Sequence, residues 1–271
     1  MGVGVLNVSG VSKSFAVKGQ VVKALDAVDL EVHEGEFVSV IGPSGCGKST
    51  LFSIIGGLQP DYDGRIEVDG RPAVGSHHDI GMVFQEESTF PWRTALENVV
   101  LPLQVSGVSK KERDSRGREL IRMVGLEGFE GHYPSQLSGG MKQRISIART
   151  FAFEPRIMLM DEPFGALDEQ TRLLLCDKLL EICQSMRQTT LLITHNITEA
   201  VQMSDRVVIM SYRPGRIKRI IDIDLPRPRT SDALSSPEFG EYVGEIWRDL
   251  RTEASKGMAA EGGARAASGA A

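Results

Sequence analysis

The chain is poor in the features that mark several large protein classes. It has three cysteines, Cys46, Cys176 and Cys183, among 271 residues. Three is too few, and their spacing too irregular, for a disulfide framework or a zinc site. No stretch approaches the roughly 18–20 uninterrupted apolar residues that cross a bilayer as a helix. Residues 1–12 lack the basic-then-apolar order of a secretory signal, so the chain is expected to stay in the cytosol. Positive charge is not in surplus: 31 Lys and Arg against 36 Asp and Glu leave a net charge of −5. A mildly acidic chain is a poor general ligand for nucleic acid, whose phosphates demand a local Lys/Arg excess. No internal repeat is visible. With 41% hydrophobic and 25% charged residues, the composition is that of an ordinary globular protein. The length suits one large domain or two small ones.

The first 41 residues read as β structure: short Val-rich runs (Leu6, Val8 and Val11; Val21 to Val32; Phe37 to Ile41) separated by Gly, Asp and Lys. Glu34-Gly35-Glu36 is a turn. A helix is expected from near Lys48, a strand over Arg65 to Val68, charged helices between Thr94 and Phe129, and a helix over Met141 to Phe153. Further on, apolar strands (Ile157 to Met160, Thr190 to Thr194, Arg206 to Met210) alternate with helices. One of these helices carries Leu173, Cys176, Leu179, Leu180, Cys183 and Met186 on a single stripe. This alternation predicts an α/β fold with a parallel core sheet. Past Pro226 the chain is rich in Pro, Arg and Ser. A short amphipathic helix follows, with Ser235 and Glu238 at capping-box spacing. The Ala/Gly-rich stretch from Ala254 is expected to be a disordered tail.

Gly42-Pro43-Ser44-Gly45-Cys46-Gly47-Lys48-Ser49 fits G-x-x-x-x-G-K-[ST], and it has the strand before it and the helix after it that the motif requires. Its glycines let successive N–H groups turn inward around phosphate oxygens. Lys48 would reach the β- and γ-phosphates, and the Ser49 hydroxyl would ligate Mg²⁺. Downstream, the apolar strand Ile157-Met158-Leu159-Met160 ends in Asp161 and Glu162. Successive strand side chains diverge, so Asp161 can face a metal shell, through water, while Glu162 accepts a proton from an attacking water. Leu137-Ser138-Gly139-Gly140-Met141 opens another helix. It is either a plain Ser N-cap or a second anion nest, which would serve a neighbouring subunit's nucleotide.

Taken in order, GPSGCGKST (42–50), Gln85, LSGGM (137–141), IMLMDE (157–162), GALD (165–168) and His195 resemble the ATP-binding cassette ATPases, over roughly residues 5 to 225. The resemblance implies a P-loop (RecA-like) parallel-sheet core with an N-terminal antiparallel β subdomain and an inserted α-helical subdomain at about 88–150. The ATPase domain would span 5–228, and 229–271 would be a C-terminal extension. The ligands implied are ATP and Mg²⁺. ATP would lie between the segment Gly42 to Thr50 of one copy and Ser138, Gly139 and Gly140 of a second copy or a homologous cassette. Gln85 would sit near Mg²⁺ and the attacking water, and His195 would hydrogen-bond the γ-phosphate. Asp168 would lie at the dimer seam, and Phe15 would stack on adenine. Met141, Phe15 and Asn196 stand where relatives often have Gln, Tyr and Asp.

A narrower likeness comes from Phe90-Pro91-Trp92, Glu97-Asn98-Val99, MKQR (141–144), RPGRI (213–217) and DLPRPR (224–229). These resemble the ATPases of importers for nitrate, sulfonate, taurine, bicarbonate and related small solutes. Such a subunit would sit peripherally on the cytoplasmic face of the bacterial inner membrane. It would dock transmembrane permease subunits near Phe90 to Trp92 and serve a periplasmic or surface solute-binding protein indirectly; no nucleic acid is implied. Soluble cassettes that act on ribosomes or DNA usually carry tandem cassettes or long coiled-coil insertions, and this chain shows neither. Cys46, beside a helix N-terminus, is a candidate for a low-pKa thiol, or else an inert small residue. His77-His78 reads as solvated loop. The basic residues Arg213 to Arg219, Arg227 and Arg229 read as a solvated strand-and-loop face.

Overall fold

Alternating apolar side chains build the first sheet. β1 (Leu6–Val17) pairs antiparallel with β2 (Gln20–Val32), setting Leu6 opposite Val32 and Val8 opposite Leu30. The computed structural model describes residues 4–17, 19–86, 88–165 and 167–268, apart from the side chains of Ser231 and of 259–268. It divides into two compact units, 1–77 with 191–271, and 78–190.

In the first unit, β3 (Phe37–Ile41) is buried throughout and leads through the loop 42–47 into α1 (Lys48–Ile55). β4 (Asp63–Val68) and the two-residue β5 (Arg71–Pro72) complete the antiparallel sheet, in the order β2-β1-β4-β5.

The second unit begins with β6 (Ile80–Val83), followed by α2 (Ala95–Val99), α3 (Leu101–Val105), α4 (Lys110–Met123) and α5 (Gly139–Ala152). β7 (Ile157–Asp161) runs parallel to β6, with Ile80 opposite Ile157 and Val83 opposite Met160. α6 (Glu169–Ser185) buries Cys176, Leu179, Leu180 and Cys183; Met186 follows as its exposed C-cap. Thr94 and Glu97 cap α2 reciprocally. Gly117 on α4 lets the helices approach, because a β-carbon there would run into Leu96 and Val100. β8 (Thr189–Ile193) crosses the division of the chain.

Back in the first unit come α7 (Ile197–Met203), β9 (Arg206–Met210), β10 (Ile217–Asp222) and α8 (Pro237–Ser268). β9 is parallel to β3 and antiparallel to β10. Continuous Val/Ile runs suit this arrangement, since a parallel strand is covered on both faces. α7 and α8 pack on these strands through Ala200, Val201, Val207, Ile209, Phe239 and Ile246.

Three expectations are corrected. α8 runs for 32 residues, to Ser268, rather than ending as a short helix before an irregular tail. Its Ala-rich distal half has high intrinsic helix propensity, which outweighs its scattered glycines. The cap falls on Ser236, whose Oγ accepts from the Phe239 amide at 3.2 Å. Pro237 takes the first helical position, where a missing N–H costs nothing, and Ser235 closes the preceding 3-10 turn instead. The basic C-terminal segment is not a wholly solvated face: Arg229 is 3% exposed. Its guanidinium donates to the carbonyls of Leu225 (3.0 Å), Ile223 (2.7 Å) and Ser204. Burial pushes its pKa down, yet an arginine with three acceptors stays charged.

Arg229→Ala orphans three buried carbonyls. It is expected to lower the unfolding free energy by about 3 kcal/mol, measured as a shift of the urea midpoint at constant m-value.

Candidate nucleotide site

In the first unit, the strand β3 delivers the chain into a loop bent by two left-handed glycines, Gly45 (φ 72°) and Gly47 (φ 104°). Gly47 has a second constraint: a β-carbon there would stand 2.7 Å from Leu25 Cδ2 and 2.9 Å from the Ala24 carbonyl. α1 starts at once, with the Leu51 amide on the Gly47 carbonyl at 2.9 Å. Lys48 folds back over the loop, and its Nζ donates to the carbonyls of Gly42 (2.8 Å) and Pro43 (3.1 Å). Its side chain is buried, and among the described residues it has no carboxylate partner. A buried cation satisfied only by neutral dipoles, here two carbonyls and the Cys46 sulfur at 3.9 Å, retains a positive field for an anion. Ser49 is exposed at the first turn of the helix.

Cys46 is not an activated thiol. It is fully buried, and desolvation raises its pKa although the nearby Lys48 ammonium pulls the other way. Low-pKa cysteines need a partly exposed electropositive setting, and burial removes the exposure.

The His195 loop belongs to the same unit. Thr194 Oγ1 donates to Glu199 and accepts from the Asn196 amide at 3.0 Å. Asn196 Oδ1 accepts from the amides of Thr198 (2.9 Å) and Glu199 (3.3 Å), capping α7. Asparagine therefore supplies the acceptor that an aspartate would supply, and His195 stands exposed on a fixed backbone. Phe15 lies on β1 opposite Val22, 37% exposed, with the Lys13 ammonium 5.1 Å from its ring centroid.

In the second unit, Asp161 ends β7 and is buried, and Glu162 follows in the left-handed region at φ 47°. A non-glycine residue there carries backbone strain of a kind concentrated at functional sites. Gln85 Nε2 donates to Glu162 Oε2 at 3.2 Å, so two predicted site residues meet directly. The segment leading to and from Gln85 is held by one face of α5. Gln143 donates to the Phe84 carbonyl (3.1 Å), Arg149 to the Ser88 carbonyl (2.8 Å) and hydroxyl (2.6 Å), and Thr150 to the Met82 carbonyl (3.5 Å). Gln143 lies in the MKQR segment, but nothing in the sequence assigns a holding role to it or to Arg149. Their signal is polarity at helix positions whose neighbours, Ile145 to Ala148, are buried.

Ser138 caps α5, its Oγ accepting from the Met141 amide at 3.3 Å. The plain N-cap is therefore present, and Ser138 remains exposed while making it. Gly140 is required because a β-carbon there would strike Leu167. Asp168 caps α6 through the Thr171 amide at 3.0 Å, and that bond holds its carboxyl below the usual range.

Trp92 is 71% exposed and stacks obliquely on Phe90, 5.6 Å between ring centroids. Asn98, fully buried, accepts from the Phe90 amide (2.7 Å) and donates to the carbonyls of Phe90, Arg93 and Thr94. One buried amide thus shapes the whole turn. A cleft of about 590 Å³ opens beside it, lined by Trp92, Arg93, Glu97, Gln104, Arg113 and Glu130 among others. His78 is exposed and pairs with Asp79.

With all three thiols buried and none in a disulfide, native protein is expected to show no fast-reacting cysteine toward Ellman's reagent. All three should react once urea unfolds the chain.

Residues 25–165 match the model of the ABC transporter family. The chain is 50% identical over 253 residues to an uncharacterized ABC transporter ATP-binding protein, MJ0412, of Methanocaldococcus jannaschii (93% of this chain, 94% of that one). It is 45% identical to the taurine import ATP-binding protein TauB of Rhizobium johnstonii (89% and 94% covered). It is 43% identical to the nitrate import ATP-binding protein NrtD of a Synechocystis strain (91% and 95% covered). Among solved structures, a dimeric post-hydrolysis state of the ATP-binding cassette MJ0796, bound to ADP and Pi, matches with a TM-score of 0.74 at 35% identity, over 82% of this chain and all of that one. With such relatives along nine-tenths of its length, and with the phosphate loop, the LSGG helix and the strand-end carboxylates in family order, the chain belongs to the ABC transporter family as an ATP-binding cassette.

Proposed function

We propose that this chain is the ATP-hydrolysing subunit of an importer for a small anionic or zwitterionic solute of the taurine, sulfonate or nitrate kind. It would work as a head-to-tail pair of cassettes. The observation that carries the hydrolytic part is the contact between Gln85 and the strained, strand-end Glu162. A carboxylate positioned by an amide at the end of a strand can accept a proton from water.

In this reading Lys48 and the amides of residues 42–50 receive the β- and γ-phosphates, and Phe15 stacks on the adenine. The donor set at the metal position would be the Ser49 hydroxyl, the Gln85 side-chain oxygen and the Asp161 carboxylate. All are hard oxygen donors, which fits Mg²⁺. Mg²⁺ would supply charge neutralisation between the β- and γ-oxygens. Gln85 suits this double duty, because its Nε2 is engaged by Glu162 and leaves its oxygen available. Glu162 takes the proton from the attacking water. His195, on its capped loop, donates to the γ-phosphate and holds it in line.

The second copy contributes Ser138, Gly139 and Gly140 to the same γ-phosphate, with Asp168 at the seam. The exposed Ser138 at the start of α5 supports this. Driving closure from 1:99 to 99:1 requires ATP to prefer the closed pair by about 5.5 kcal/mol. A second set of fixed donors on one γ-phosphate, in a site from which water is excluded, provides such a preference. The exposed Trp92, on a turn fixed by the buried Asn98, suits a permease helix seated in the neighbouring cleft at the cytoplasmic face of the membrane. The taurine, nitrate and sulfonate names of relatives support the solute class.

Glu162→Gln is expected to keep ATP binding and to lose about 10²–10⁴ in hydrolysis. It should elute as an ATP-bound dimer in size-exclusion chromatography; full turnover by a monomer would refute the scheme. Trp92→Ala is expected to spare ATP binding and abolish uptake in whole cells. Uptake at the unmodified rate would remove the docking role.

A further inference from the structure

The turn joining β9 to β10, residues 211–216, takes no part in the scheme above, yet it lies directly against the phosphate loop within the first unit. Arg213 Nε donates to the Gly45 carbonyl at 2.7 Å. A β-carbon at Gly45 would stand 2.8 Å from Arg213 Nη2, and one at Gly215 would collide with the Cys46 carbonyl. The turn is pinned to β2 as well. The Gly215 amide meets the Ala24 carbonyl at 2.8 Å, the Asp26 amide meets the Gly215 carbonyl at 3.0 Å, and Arg216 pairs with Asp26. Glycine at 215 is therefore a requirement of close approach to backbone, and glycine at 45 is required by its left-handed φ of 72°.

The other side of the turn is tied to α8. Glu253, on that helix, has a side chain only 2% exposed. It accepts from the Tyr212 amide at 3.0 Å and pairs with Lys256 (2.8 Å) and Lys218 (3.3 Å). Burial works to raise its carboxyl, but these partners outweigh it and hold the group below the ordinary range, fully charged. Gly257 lets the Tyr212 ring lie against the same helix, where a β-carbon would be 3.0 Å from the ring. A continuous path runs from α8 through Glu253, the Tyr212–Arg213 backbone and the Arg213 guanidinium to Gly45.

The Gly45 carbonyl shares a peptide plane with the Cys46 N–H. In a trans peptide these point in opposite directions, so a donor that fixes one fixes the other. The Cys46 N–H is turned into the loop, toward the Pro43 carbonyl. A charged donor on the carbonyl also polarises the peptide and strengthens its N–H as a donor to an anion. We propose that Arg213 is a positioning residue of the phosphate loop, and that α8, acting through Glu253, is the strut that holds Arg213 in place. The C-terminal helix thereby acquires a role in nucleotide affinity. This rests on the phosphate loop binding ATP.

The test uses the full-length chain with Arg213→Ala, Arg213→Lys and Glu253→Gln. Binding of a fluorescent ATP analogue with Mg²⁺, the KM and kcat for ATP, and the thermal midpoint are measured for each. Loss of a charge-assisted bond predicts a rise of about tenfold in analogue Kd and KM for Arg213→Ala, with kcat falling less than KM rises. Arg213→Lys, which retains one donor, should recover part of the affinity. Glu253→Gln should weaken binding in the same direction by a smaller factor. The proposal is overturned if Arg213→Ala binds with the parent affinity, or if its loss tracks a collapsed thermal midpoint and Lys restores nothing. A parent chain that fails to bind the analogue would instead bring down the nucleotide scheme itself, and this role with it.

Discussion

The Lys48 ammonium, folded onto the Gly42 and Pro43 carbonyls and without a carboxylate partner among the described residues, is the constraint on which the rest depends. A buried cation held only by dipoles is stable when the backbone around it is rigid. Much of the first unit serves that rigidity. β3 is wholly buried, Gly47 is wedged against Leu25 and Ala24, and the 211–216 turn braces Gly45. The same rigidity that tolerates the charge preorganises the loop for phosphate, so structural cost and function have one origin.

The second unit solves a different problem, which is to keep a flexible glutamine beside a strained glutamate. α5 does this with polar side chains along one face, from Gln143 to Thr150, each reaching backbone or hydroxyl groups of the segment 82–88. The same helix begins with the Ser138 cap, and Gly140 packs against Leu167. Arg149 also lies over the Phe90 ring, at 5.4 Å, so the Trp92 turn is attached to the same helix. One helix therefore links the site, the start of the signature segment and the surface proposed for the permease.

Legibility followed the range of the interactions. The phosphate loop, the apolar strand ending in Asp161-Glu162 and the β character of the N-terminal segments could be read because each depends on neighbours a few residues apart, whereas the antiparallel pairing came with the resemblance. The corrected expectations had local and tertiary causes alike: helix propensity and the Ser236 cap decided the extent of α8, and burial decided Arg229. Cys46 allows two readings in the sequence, a low-pKa thiol or an inert small residue, and burial by the surrounding fold decides for the inert one. Arg229 looked solvated because its neighbours are Pro, Arg and Ser, yet its acceptors lie 4, 6 and 25 residues away. Asn98 and Gln143 lie in motifs that the sequence shows, but their burial and their backbone partners are not visible there, since a buried amide has the same letter as an exposed one.

By itself the sequence determined most of the elements, though not β6 or β10, together with the phosphate-loop motif and the family, because glycine torsions, strand periodicity and motif spacing are properties of short stretches of chain. Only the tertiary structure decided which polar groups are buried, which amides and guanidiniums hold the loops, and that a C-terminal helix reaches the phosphate loop through Arg213. Those outcomes depend on which distant backbone atoms a side chain meets, and on the water it loses when it meets them.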